Sequence, residues 1–152
     1  MRTFTHVAAL IDTNVLVYVF DPGDPRKQRI AAELLDRGLQ DDSVKIPHQA
    51  IVEFVAATTR PRARGGSPRL PLLTPEAATR EAEELLATFE VLYPNEALVR
   101  TALRGAAAYR LAWYDAHLWA YAEYYGLSEL FSENFEHNRL YGTVRAVNPF
   151  LT

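Results

Sequence analysis

The fold of this chain is decided by the stretch Val7-Ala8-Ala9-Leu10-Ile11-Asp12-Thr13-Asn14-Val15-Leu16-Val17-Tyr18. Its first five residues are an unbroken apolar run, which is typical of a strand covered on both faces. A helix is predicted to follow directly at residues 13–20, with Thr13 or Asn14 as its cap. Asp12 stands at the junction, where a carboxylate is costly unless it is paired or binds a metal.

The rest of the sequence repeats this alternation of strand and helix. Further strands are predicted at 44–46, 90–93, 129–132 and 143–147, and further helices at 25–37, from 47 onwards, at 74–88, 96–109 and 114–125. Asp24-Pro25 and Thr74-Pro75 each combine a cap with a proline at the first helical position. This alternation predicts an α/β fold with a central, mostly parallel sheet and helices on both faces.

The composition is that of an ordinary globular protein. The chain has 152 residues, of which 49% are hydrophobic and 23% are charged, so we expect one domain spanning 1–152. No apolar run approaches the roughly 18 residues of a membrane helix, and the N-terminus lacks the apolar region of a signal peptide. We therefore expect a cytoplasmic location and no membrane partner.

The content of cysteine and charge excludes some classes of site. There is no cysteine, which excludes disulfides and thiolate sites for zinc or iron–sulfur clusters. The net charge of −3 gives no general electrostatic sign of nucleic-acid binding. Lys27 and Lys45 are the only lysines, and the arginines that supply the remaining positive charge suit phosphate recognition. GC-rich codon usage explains the same bias equally well.

Four acidic residues lie far apart in the sequence but near one predicted edge of the sheet. Asp12 and Glu133 each follow a strand, at the end where parallel sheets bind ligands. Asp115 lies in the first turn of a helix, and Glu53 lies in the apolar helical stretch 50–55. Converging carboxylates repel one another and so require a divalent cation. Without convergent His or Cys, they favour Mg²⁺, with Mn²⁺ as the alternative.

The order and spacing of five segments resemble a PIN-domain nuclease, and most closely the VapC-type toxins of bacterial toxin–antitoxin pairs. The segments are Ile11–Tyr18, Glu53 within its helix, Trp113–Ala116, Leu130–Phe135 and Val147–Phe150. The resemblance covers nearly the whole chain and implies the PIN-like three-layer sandwich. It further implies a Mg²⁺-dependent endoribonuclease that cleaves RNA with a metal-activated water, a homodimer, and a cognate antitoxin that blocks the site.

The resemblance assigns Asp12, Glu53 and Asp115 as the catalytic, metal-binding acids. A fourth acid of the family falls where this chain has Asn134, so Glu133 beside it is either the fourth catalytic acid or a surface residue. The number of bound metals therefore stays open. The simpler alternatives are a helix cap for Asp12, a surface acid for Glu53 and a dipole-stabilising acid for Asp115.

Several polar residues are candidates for a supporting role around these acids. Thr13 and Ser132 either orient the acids through hydroxyl hydrogen bonds or simply cap turns. Asn14 and Asn134 complete the supporting set.

The segment 60–71 is rich in Pro, Gly, Ser and Arg and is predicted to be a mobile loop. Arg62, Arg64 and Arg69 within it either contact the RNA backbone or belong to a solvated loop.

Two other functions are alternatives to the nuclease. The first is a PIN-like module that binds RNA or a protein without cleaving, because Asn134 weakens its site. The second is a receiver-type phosphorylation switch. It requires an acceptor Asp after the central strand and a Lys late in the chain, and neither is present.

Overall fold

The computed structural model describes residues 8–64 and 67–151, with the backbone alone for residues 63, 64 and 67–69. The strands are Ala9–Ile11 (β1), Val44–Pro47 (β2), Arg62–Arg64 (β3), Ser67–Leu70 (β4), Glu90–Leu92 (β5), Glu129–Phe131 (β6), Leu140–Tyr141 (β7) and Val144–Val147 (β8). The helices are Thr13–Tyr18 (α1), Pro25–Gln40 (α2), His48–Thr59 (α3), Pro75–Thr88 (α4), Glu96–Tyr109 (α5) and Trp113–Tyr125 (α6). Within these ranges, no helix combines the length and the hydropathy that a membrane span requires.

The main sheet has β1 near its centre. Its strand order is β5-β2-β1-β6-β8-β7, and every pairing is parallel except that of β7 with β8. Ile11 at the end of β1 lies beside Phe131 at the end of β6. Because both strands end at the same edge, the residues that follow them lie close together. The predicted α/β fold with a mostly parallel sheet is therefore confirmed.

Helices cover both faces of the sheet and make three layers. Successive side chains of β1 point to opposite faces, as in any strand. Leu10 belongs to the apolar cluster that includes Leu118 and Trp119 of α6. Ile11 belongs to the cluster on the other face, which includes Leu16 of α1 and Phe54 of α3. Each face thus has its own core, and the first four helices share one of them.

Several helix ends follow from the local sequence as predicted. The Asp24 side chain caps α2 by accepting a hydrogen bond from the Lys27 amide at 3.1 Å. The Thr74 side chain caps α4 in the same way, with the Ala77 amide at 3.1 Å. Helix α6 ends at Gly126, whose φ of 73° is in the left-handed region that glycine adopts without strain.

Two expectations about local structure were wrong. The cap of α1 is Asp12 rather than Thr13 or Asn14, and its side chain accepts a hydrogen bond from the Thr13 amide at 2.6 Å. The segment 60–71 contains an antiparallel ribbon of β3 and β4 rather than an unstructured loop. Strands this short leave no periodic pattern in the sequence, so the Pro and Gly content dominated the prediction.

Candidate active site

Asp12 is the buried acid around which the site is built. It follows the central strand β1, and only 5% of it is exposed. Its Oδ1 accepts a hydrogen bond from the Thr13 amide at 2.6 Å, and its Oδ2 accepts one from the Ser132 hydroxyl at 2.5 Å. The side-chain amides of Asn14 and Asn134 each lie 3.4 Å from Oδ2. All of these donors are neutral, and Asp12 forms no salt bridge within the described part of the chain.

The electrostatics of the site show a shortage of positive charge. Burial raises the pKa of Asp12 to about 6 from its ordinary value of 3.8. Hydrogen bonds from Ser132 and Thr13 lower it in part, and the charges of Asp115 and Glu53 raise it again. The pKa of Asp115 is raised as well, first by burial and then by the charge of Glu53. Asp12, Glu53 and Asp115 therefore lie close enough for their charges to interact, whereas the topology alone predicted Asp12, Asp115 and Glu133 at this edge.

Glu53 is fixed on α3 by two hydrogen bonds. Its Oε2 accepts one from the Thr13 hydroxyl at 2.7 Å, and its Oε1 accepts one from the Gln49 side-chain amide at 2.9 Å. The same Gln49 amide donates to the Tyr114 carbonyl oxygen at 3.1 Å, so it joins α3 to the first turn of α6, which carries Asp115. Gln49 was not predicted. Its position one helical turn before Glu53 was the available signal.

A pocket of about 270 Å³ opens beside Asp12. Its lining consists of Asp12, Thr13, Asn14, Val17, Tyr18, Glu53, Ala57, Arg62 and Asn134. The Oδ1 atom of Asn14 is buried and has no hydrogen-bond partner within the described residues. A buried oxygen in that condition is costly unless a ligand binds it. The pocket lining therefore combines two acids, the Arg62 side chain and Asn14, whose amide oxygen is unpaired among the described residues.

Glu133 lies at the same sheet edge but is turned away from the pocket. Its Oε2 forms a salt bridge with the Lys27 ammonium of α2 at 2.8 Å, and its Oε1 accepts a hydrogen bond from the Tyr18 hydroxyl at 2.5 Å. Ser132 and Asn134 on either side of it direct their side chains towards Asp12. A bend after β6, in which the Asn134 backbone amide donates to the Ser132 hydroxyl oxygen at 3.0 Å, leaves both of these side chains beside Asp12, and the structure does not bring Glu133 to the other acids.

The arginine segment reaches the pocket through Arg62 alone among the described side chains. The Arg62 guanidinium lies 3.6 Å from the Asp21 carboxylate and lines the pocket wall. The predicted contacts of Arg64 and Arg69 fall on side chains outside the described residues.

The donor set fits a hard divalent cation, although it is not a closed cage. In the ranges 8–64 and 67–151, no three His, Asp or Glu side chains are arranged to hold a metal ion among themselves. Mg²⁺ does not require such a cage, because it keeps several waters and is commonly bound by one or two carboxylates. Asp12, a second acid and the unused oxygen of Asn14 meet that requirement.

Solved structures with the same fold include several toxin–antitoxin proteins. A toxin–antitoxin complex from Klebsiella pneumoniae is 18% identical with a TM-score of 0.64, covering 93% of this chain and 98% of the other. DNA-bound VapBC from Salmonella typhimurium is 15% identical with a TM-score of 0.64, covering 92% and 96%. VapC20 from Mycobacterium tuberculosis, described as a toxin that cleaves the sarcin–ricin loop, is 18% identical with a TM-score of 0.61, covering 91% and 99%.

At these identities the structural likeness shows a shared fold and no more. A search of the curated proteins found no match. The family comparison is decisive, because the model of the PIN domain matches residues 9–142 and so spans five of the six strands of the main sheet, both helical layers and all of the acids described above. The chain belongs to the PIN domain family.

Proposed function

We propose that this protein is a Mg²⁺-dependent endoribonuclease and the toxin of a toxin–antitoxin pair. The observation that carries the proposal is the buried Asp12 carboxylate, which lies at the end of the central strand with Glu53 and Asp115 nearby and only neutral hydrogen-bond donors. Burying such a carboxylate is costly unless a cation binds it, and buried acids with a shifted pKa are concentrated at functional sites. Membership of the PIN family makes nucleic-acid hydrolysis the chemistry that this site fits best.

Each residue of the site has its own role, either in binding the cation or in positioning an acid. Asp12 and Glu53 bind the cation, and Asp115 adds the third negative charge. The Ser132 hydroxyl fixes one oxygen of Asp12, and the Thr13 hydroxyl fixes one oxygen of Glu53. Both acids keep lone pairs for a ligand, because a carboxylate has about four acceptor positions. When bound, Mg²⁺ supplies an activated water and neutralises charge on the phosphate.

The positive side of the pocket is suited to the substrate backbone. Arg62 belongs to the pocket lining together with Asp12 and Glu53, and its ion-pair contact with Asp21 is long, at 3.6 Å. We assign to it a contact with an RNA phosphate, with Arg64 and Arg69 as further backbone contacts on the same ribbon. RNA is favoured as the substrate because VapC20, which shares the fold, is described as cleaving the sarcin–ricin loop.

We assign a second groove on the protein to an antitoxin partner. The groove lies between α2 and α4, and its apolar lining includes Phe20, Leu35 and Leu85. Glu81 and Glu84 add acidic charge to it. An amphipathic segment with basic residues complements both features, and structures with this fold include toxin–antitoxin complexes. Copurification with the product of a neighbouring short reading frame would test this partner.

We also propose a homodimer. Val99 and Leu103 are 36% and 53% exposed and lie one turn apart on α5, which leaves an apolar face for a second copy. Sedimentation of the protein and of Leu103→Glu measures this directly: a dimer that the substitution dissociates supports the proposal, and a monomeric wild type contradicts it.

The alternative function is a PIN-like module that binds RNA or protein without cleaving. The observation in its favour is Asn134, which offers a neutral amide to Asp12 at 3.4 Å where a further acid is expected. The two functions differ in the fate of the RNA and not in the binding of RNA.

Incubation with 5′-labelled RNA in Mg²⁺ and in EDTA separates them, with Asp12→Asn as the matched control. Asparagine retains an oxygen for the Thr13 amide and hence the cap of α1. Cleavage that needs Mg²⁺ and is lost in Asp12→Asn supports the nuclease. Bound but intact RNA under every condition supports the binding module.

A further inference from the structure

A second pocket, of about 400 Å³, lies on the other side of Glu53 from the first. Its lining consists of His48, Gln49, Val52, Glu53, Trp113, Tyr114 and His117, and four of these seven residues carry aromatic rings. Trp113 and Tyr114 are 45% and 71% exposed, and Val52 in the same lining is 56% exposed. Large apolar side chains are thus grouped in the open directly beside the carboxylate site, where a ligand covers them at a gain in free energy.

The rings of this pocket are held in place by their neighbours. Trp113 packs edge-to-face on His117, with centroids 4.4 Å apart and planes at 85°. His48 packs against Tyr93 with centroids 5.4 Å apart. A ring that is already ordered loses little conformational freedom when a ligand stacks on it, so the pocket is prepared for a flat partner.

The charge of the residues that line this second pocket indicates which class of ligand it binds. Glu53 is the acid of this pocket, and among the described side chains no Lys or Arg belongs to its lining. A phosphate or an acidic peptide is therefore disfavoured, whereas a neutral planar ring meets stacking surfaces on several sides. Nucleobases are such rings, and they stack on aromatic side chains in most proteins that bind single strands.

We propose that this pocket binds one unpaired base of the RNA strand whose phosphate lies at the Asp12 site. Glu53 lines both pockets, so the two are adjacent, and one strand can place a phosphate in the first while its neighbouring base enters the second. The substrate is then single-stranded or looped RNA, because a base held within a duplex cannot enter. This assignment rests on the proposed function.

Binding of a fluorescein-labelled single-stranded RNA to protein carrying Asp12→Asn, in Mg²⁺, measures the pocket without cleavage. Trp113→Ala should weaken binding about fivefold or more, the range measured for one base–aromatic stack. Trp113→Phe should retain most of the affinity. Tyr124→Ala is the matched control, because Tyr124 is exposed on the same helix but lies outside the pocket lining.

Abasic sugars placed at successive positions of the same RNA identify the base. One position should reproduce the loss seen with Trp113→Ala, and combining that RNA with the variant should cause no further loss. The proposal is overturned if Trp113→Ala binds as the parent does, or if its loss is equal for every abasic RNA. It is also overturned if the variant loses affinity only because a dimer dissociates in sedimentation.

Failure of this proposal and failure of the proposed function give different results. If the unsubstituted protein neither binds nor cleaves RNA in Mg²⁺, both fail together. If it cleaves single-stranded RNA and Trp113→Ala leaves both KM and affinity unchanged, the nuclease stands and the base pocket alone is wrong.

Discussion

Asp12 and Glu133 follow two adjacent parallel strands, one residue beyond Ile11 and two residues beyond its partner Phe131, and their surroundings are opposite. Asp12 is buried, receives hydrogen bonds from neutral groups, and has its pKa raised by burial to about 6. The side chain of Glu133 is 23% exposed and forms an ion pair with Lys27 at 2.8 Å. One carboxylate lacks a cation in the described chain, and the other already has one.

The difference teaches that a position at the carboxyl edge of the sheet does not by itself define a functional acid. Asp12 has no positively charged partner among the described residues and can bind a cation, whereas Glu133 is already paired with Lys27 of α2. The carboxylate of Glu133 instead connects the end of β6 to Lys27 and Tyr18. The following predictions test whether the two acids really differ in this way.

The largest difference is expected in RNA cleavage. Asp115→Asn should lower the rate by at least about a hundredfold, since even outer-shell partners of a metal site cost about 10–100-fold. Glu133→Gln should stay within a few-fold of wild type, because its carboxylate faces Lys27 and not the pocket. Cleavage rates at saturating Mg²⁺ measure both. Equal losses in the two variants would place Glu133 in the active site.

A second contrast concerns stability against pH without metal. The pKa of Asp12 is higher in the folded state than its ordinary 3.8, so folding favours the protonated form. Its contribution therefore falls as pH rises from about 4 through 6, by about 3 kcal/mol in total at about 1.4 kcal/mol per pH unit.

Asp12→Asn cannot ionise, so its stability relative to wild type should rise over that window and level off above it. Urea unfolding in EDTA at pH 4, 5, 6 and 7 gives the curve, with Glu133→Gln as the control that keeps the dependence on Asp12. A difference between Asp12→Asn and wild type that does not change with pH would show that Asp12 titrates normally.

A smaller effect is expected at Asn134, whose amide lies 3.4 Å from Asp12. Asn134→Asp adds a like charge to the site and should destabilise the metal-free protein by about 1 kcal/mol, a typical cost for a substitution. The same charge should raise Mg²⁺ affinity and speed cleavage when Mg²⁺ is limiting. Calorimetric titration together with unfolding in EDTA checks both. Unchanged affinity and stability would mean that position 134 does not face the cation.

The smallest effect is expected for the ion pair between Lys27 and Glu133. Lys27 and Glu133 are each about a quarter exposed, and a double-mutant cycle with Lys27→Met and Glu133→Gln should give a coupling of about 0.5–1 kcal/mol. Unfolding in urea measures it, with cleavage expected to be unaffected by Glu133→Gln. A coupling near zero would mean that the ion pair does not hold Glu133 in place.

Much of the fold, and the place of Asp12 and Asp115 within it, was predicted from the sequence for identifiable reasons. The apolar run before Asp12 predicted a buried strand, and the cap followed by proline at Asp24 and Thr74 predicted helix starts. The position of Asp115 in the first turn of α6 followed from the helical pattern. These features depend on neighbouring residues, which a sequence displays directly.

What the sequence could not show depends on partners that are distant in the chain. Lys27 and Glu133 are 106 residues apart, so nothing local indicates that the acid is already paired. The pairing of β3 with β4 depends on backbone hydrogen bonds that a Pro- and Gly-rich composition conceals. The role of Gln49 between Glu53 and Tyr114 likewise depends on the approach of α3 to the first turn of α6.

The central claim is that a divalent cation binds among Asp12, Glu53 and Asp115 and that Glu133 takes no part. Thermal unfolding with increasing Mg²⁺ tests it most directly, because a ligand that binds only the folded state raises the melting temperature. Wild type and Glu133→Gln should rise in parallel, and Asp115→Asn should lose most of the rise. An unchanged rise in Asp115→Asn, or its loss in Glu133→Gln, would contradict the claim.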